Sequence, residues 1–194
     1  MRVFRPAVPD GFEWVFPLDE RDWEILRSFD GSPRASTWTP IAVRLGYSQE
    51  DTGYQPATMP WMGSHVLVFK QEALRLIGTD VGRWGELLPL ECHQTDLVVF
   101  NPTQSVSALD QGRSSVVRFG DGRIVNINTH VFSADAIENI EIFKLKEMPR
   151  GSLYLTGHIV ETIESNGLEG TDFELLWSDE TDWPPLPGPL TPPE

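Results

Sequence analysis

At 194 residues, 40% hydrophobic and 10% aromatic with seven Trp, the chain carries enough packing material for one sizeable globular domain and too much for a disordered one. One cysteine, Cys92, excludes an internal disulfide framework and fits a reducing, cytoplasmic compartment; prolines and acids interrupt the N-terminus before a signal peptide can form, and no segment has the length of a membrane span. The net charge of −14 repels nucleic acid and anionic membranes and attracts basic partners.

Residues 1–60 read as an irregular opening. Within it, residues 18–31 predict a short helix with Asp19 as N-cap, Trp23 and Leu26 on one face and Gly31 beyond its end, and residues 37–47 are rich in β-formers. Residues 48–63 are turn chemistry throughout. The signals sharpen from Ser64: a short apolar run at 64–69 leads into Ala73, Leu74 and Ile77 at helical spacing, with Gly78 as the expected stop. Residues 86–91 and 95–101 read as strands, and residues 115–128 as a hairpin turning at Asp121-Gly122, a dipeptide suited to positive φ. A short helix running into a strand follows at 134–145. Residues 152–167 then repeat the order strand, helix, glycine, and a last strand is expected at 171–177. Residues 178–194 form an acidic, proline-rich tail in which Trp183 is a candidate anchor.

A Glu-Leu-Leu tripeptide occurs twice, at Glu86 and Glu174, 88 positions apart, and Gly82 and Gly170 share that offset. Glu72/Glu161, Leu74/Ile163 and Gly78/Gly167 match at an offset of 89. The pattern predicts two related strand–helix–strand units packed into one core, by duplication or by coincidence, and too few copies for a solenoid. The fold expected is a single α+β domain: a mixed or mostly antiparallel sheet with a few short helices, near 71–77 and 158–166, and the proline-rich C-terminal tail.

Charge is unevenly placed. Arg150 is the last basic residue, and the 44 positions after it hold nine acids, leaving only −5 of the total to the first 150. Eight of these acids, Glu161, Glu164, Glu169, Asp172, Glu174, Asp179, Glu180 and Asp182, form a candidate partner-binding segment with no Lys or Arg of its own. A basic protein surface is the partner such a field would steer in, although solubility alone is the plainer use of the charge.

Catalytic signals are weak. His65, His93, His130 and His158 are isolated, and Cys92-His93 is an adjacent pair whose side chains would point to opposite faces of a strand, so no metal or cofactor is expected. Gly120-x-Gly122 lacks a third glycine and a following helix, and suits a hairpin better than a phosphate loop. The polar loop of Asp110, Arg113 and Ser114, with Cys92, keeps an enzyme reading open, and the proline-rich tail keeps open a module that offers a polyproline ligand.

The order of stretches 64–90, 98–115, 131–145 and 152–177 resembles immunity protein family eleven, a myxobacterial-type family of bacterial polymorphic toxin systems. Glu86-Leu87-Leu88-Pro89, Ala108-Leu109-Asp110 with Ser114, Ile142-Phe143-Lys144, and Gly167-Leu168-Glu169-Gly170 with Phe173 carry the resemblance. It implies an immunity-protein-like α+β core over 61–177, flanked by the 1–60 extension and the 178–194 tail. It also implies a cytoplasmic, non-enzymatic protein that binds and neutralises a cognate toxin. Such a protein needs a rigid scaffold and a complementary surface rather than catalytic residues or cofactors.

Overall fold

Short β-rich runs separated by turn residues assemble into two five-stranded mixed sheets, and a computed structural model of the chain describes residues 1–47 and 54–180. The described residues run β1 (Arg2–Ala7), β2 (Trp14–Pro17), α1 (Asp22–Arg27), β3 (Ala42–Gly46), β4 (Leu67–Lys70), α2 (Gln71–Val81), β5 (Gly85–Cys92) and β6 (Leu97–Pro102). There follow β7 (Ser105–Val106), β8 (Ser115–Arg118), β9 (Ile124–Thr129), α3 (Ala134–Ile137), β10 (Ile142–Leu145), β11 (Tyr154–Thr156), α4 (Gly157–Ser165) and β12 (Asp172–Ser178). One sheet has the order β12-β1-β11-β10-β7 and the other β2-β3-β5-β6-β4, while β8 and β9 pair only with each other as the expected hairpin, Gly122 taking φ 87° in its turn. The fold is α+β.

The layers follow from which faces are apolar. Ala73, Ile77 and Val81 of α2 and Ile159, Val160 and Ile163 of α4 recur at helical spacing, and both stripes are buried. They share one core with Leu67 and Phe69 of β4, Phe100 of β6, Ile142 of β10 and Leu155 of β11, so both sheets close on this helical layer. The outer face of the second sheet (Val43, Val68, Leu88, Val99) is covered by Leu26 of α1 and by Phe29. The outer face of the first (Val3, Phe143, Tyr154, Trp177) is covered by α3 and by Ile127 of the hairpin.

The two strand–helix–strand units are present and share one geometry. β4 and β5 both run antiparallel to β6, and β11 and β12 both run antiparallel to β1, so each unit is a pair of parallel strands joined by a helix and split by a third strand. Their helices start alike, from Lys70 (φ −80°, ψ 163°) and Thr156 (φ −80°, ψ 164°). This equivalence corrects the sequence alignment: the helix starts are 86 positions apart, and that offset places buried Ala73 on Ile159 and Ile77 on Ile163. The residues identical at 88 and 89 therefore do unlike work. Gly170 has φ 105° and a Cβ there would lie 2.1 Å from Ala57 Cβ, whereas Gly82 is a helix cap with φ −62°. The Glu86 carboxylate accepts N–H bonds from Arg34 (2.6 Å), Ala35 (3.2 Å) and the Asn101 amide (2.9 Å), while Glu174 faces solvent.

Several boundaries differ from expectation. Residues 1–60 are not an irregular extension, and the folded body is not confined to 61–177: β1 lies inside the first sheet between β11 and β12, and β2, α1 and β3 build the second. Its Pro6, which lacks an N–H, lies past the register with β11, where β1 has β12 on one side only. Gly78 does not end α2. The helix continues to Val81 because Ile77 and Val81 extend its buried stripe, which outweighs the roughly 1 kcal/mol propensity cost of an interior glycine. The first helix starts after Arg21, and Asp19 Oδ1 accepts the Arg21 N–H (2.9 Å). The tail begins later than 178, since Ser178 pairs with Arg2 as the last residue of β12; Asp182, Trp183 and the proline-rich stretch lie outside the described residues.

Candidate functional site

The acidic segment runs along α4 and β12, and the structure divides it into two sets. β1 lies antiparallel to β12 with Arg5 opposite Glu174, and the Arg5 Nε–H donates to that carboxylate at 2.7 Å. α4 packs on β1, which brings Arg2 into an ion pair with Glu161, and the Met1 ammonium pairs with Asp179. The expectation of a segment without neutralising bases is thereby corrected. Three of its acids are answered by the first five residues of the chain, close in space and remote in sequence. These pairs are exposed, so each adds little to stability, about 0–1 kcal/mol, but each removes a charge from the outward field.

Glu164, Glu169, Asp172 and Glu180 form no ion pair among the described residues. Glu180 stands beside Met1 and Arg2. The other three line one hollow of about 470 Å³ whose remaining wall includes Phe12, Leu168 and Phe173. The chain reverses here between α4 and β12 through Gly167 (φ 64°) and Gly170 (φ 105°), which hold backbone conformations that side chains resist.

The 57–59 strap pins this reversal. Met59 N–H donates to Glu169 O (2.8 Å), Glu169 N–H to the Thr58 hydroxyl (2.8 Å) and the Thr171 hydroxyl to Met59 O (2.8 Å). The carboxylates of Glu164, Glu169 and Asp172 thus stand exposed on a fixed backbone beside an apolar wall. Partial burial, and then the charge of Asp10, raise the Asp172 carboxyl above its ordinary range. Asp10, outside the hollow's lining, is the charged neighbour that sequence reasoning missed, because nothing local ties it to a segment about 150 residues away.

Such a hollow suits the side chain of Arg or Lys, whose aliphatic stem can lie on Phe12 and Phe173 while its charged head meets the carboxylates.

The alternative site residues are used structurally. Asp110 Oδ1 accepts the N–H groups of Gly112 and Arg113 (3.1 Å each), and the Ser114 hydroxyl exchanges hydrogen bonds with the backbone of Val131, so this loop is a turn fastened to the 131 segment. Cys92 is half-buried at the edge of the second core, its Sγ 3.8 Å from Gln94 Oε1. Among the described residues no group of three His, Cys, Asp or Glu side chains converges as a metal site, and no helix is long and apolar enough to cross a membrane. No protein-family model matches the chain, and no curated protein matches it.

Proposed function

We propose that this is an immunity protein that binds a cognate bacterial toxin directly and neutralises it, and that the toxin offers a basic side chain to the Glu164–Glu169–Asp172 hollow. The class of partner is taken from the resemblance of residues 64–177 to immunity protein family eleven. The sign and place of the contact rest on one observation: once Met1, Arg2 and Arg5 have neutralised Asp179, Glu161 and Glu174, three unpaired acids of the segment share one rigid, part-apolar hollow. Clustered charge of this kind chiefly accelerates encounter, and salt screens the gain, the Debye length being about 8 Å at physiological ionic strength.

The test is association kinetics with the cognate toxin domain over a salt series. Reversing Glu164, Glu169 and Asp172 to Lys is expected to slow association about tenfold at low salt. Reversing Glu161, Glu174 and Asp179, which lie outside the hollow, changes the net charge equally and slows it less. Equal effects from the two sets, or rates indifferent to both salt and charge, would refute the hollow as the contact.

A further inference from the structure

We propose a second binding site, for a small anionic group (a phosphate or a carboxylate), in the hollow between α1 and the segments that lead into β4 and β11, with Arg27 and Arg150 as its charged donors and Ser64 and Ser152 as its hydroxyl contacts. The site is distinct from the acidic hollow and does not rest on the toxin reading.

The hollow holds about 460 Å³, and Glu24 is the one acid in its lining. Arg27 lies over the Trp23 ring at 5.4 Å, which leaves its N–H edge available, and neither Arg27 nor Arg150 forms an ion pair among the described residues. The Ser64 and Ser152 hydroxyls are 3.2 Å apart. One of the pair must donate to the other, so one O–H remains to donate outward. A guanidinium presents a planar fork that meets an oxyanion through two parallel N–H bonds, and an adjacent hydroxyl adds a third donor.

A third basic group lies beneath. Lys144 is fully buried on β10 and has no carboxylate in ion-pair contact; its ammonium donates to His65 O (3.0 Å) and Gly151 O (2.8 Å), backbone atoms of two residues that line the hollow. His65 is held neutral at the same place. Burial, then the charges of Lys144 and Arg27, hold its imidazole down to about 4, and its buried Nε2 has no hydrogen-bond partner. On a chain of net charge −14, two guanidiniums free of ion pairs among the described residues line this hollow with a buried amine beneath it, and an oxyanion there would meet complementary charge.

The experiment titrates the full chain at constant ionic strength with inorganic phosphate and, separately, with N-acetyl-glutamate amide, following backbone amide shifts by NMR. Saturable shifts at Arg27, Ser64, Arg150 and Ser152 are expected, with affinity at least tenfold weaker in the Arg27→Gln/Arg150→Gln double variant and unchanged in Arg75→Gln. Both substituted arginines are exposed, so the fold should survive, and a matching melting curve checks it. Tighter phosphate binding assigns the site to a small phosphorylated molecule, and tighter carboxylate binding to an acidic side chain of a partner. Absence of saturable shifts with either probe, or undiminished affinity in the double variant, would overturn the proposal.

Discussion

Val3 and Val8 offer a controlled test of whether the N-terminus belongs to the body of the fold. Val3 lies in β1 at 0% exposure, within the third core, and Val8 lies just past the end of the same strand at 51%. Replacing either with Ala removes the same two carbons. At Val3 the lost transfer free energy is about 1.6 kcal/mol, from roughly 0.8 kcal/mol per buried methylene. A cavity contribution adds to it, because the neighbours are locked in a ring cluster and cannot collapse inward: Phe132 meets Tyr154, Trp177 and Phe143 edge-on at 5.5, 5.9 and 6.1 Å. The expected cost is about 2–3 kcal/mol, which lowers the melting temperature of a domain of this size by about 4–12 °C. Val8→Ala should stay within about 0.5 kcal/mol of the parent. The assay is thermal and urea unfolding of the two variants side by side. Melting of Val3→Ala within about a degree of the parent would mean that β1 is a peripheral strap and not part of the core.

Other outcomes test the remaining features. Gly170→Ala should destabilise by 2 kcal/mol or more, seen in urea midpoints, since the new methyl meets Ala57 at 2.1 Å in a backbone of φ 105°. Glu86→Ala should cost about 1–3 kcal/mol by leaving the buried Asn101 amide and two backbone N–H groups short of an acceptor, whereas Glu174→Ala, in the second copy of the tripeptide, should cost no more than about 1 kcal/mol. Burial lowers Lys144 from 10.5 to about 7, against a weaker opposing pull from Asp30, so the unfolded chain holds this proton more tightly than the folded one. Stability should therefore rise as pH climbs from 7 towards 10.5, by up to about 5 kcal/mol. Lys144→Met should flatten that rise, gaining on the parent below pH 7; parallel stability–pH curves would refute it.

Local chemistry was legible in the chain. The Asp121-Gly122 hairpin, the apolar stripes of α2 and α4, and the strand–helix–strand order are each set within a few residues, by positive-φ tolerance or by side-chain period, so reading along the sequence recovers them. The N-terminal strand was not legible. Arg2–Ala7 holds only two large apolar side chains and a proline, and it becomes a strand because β11 and β12, 151–176 positions away, supply its partners. Charge failed as a guide for the same reason: the sequence counts acids and bases without their separations, while Coulomb attraction depends on distance in space. The chain by itself settled how much acid follows Arg150 and which segments are helix or hairpin. Tertiary structure alone decided which acids are answered by Arg2, Arg5 and Met1, and which three are left together beside Phe12 and Phe173.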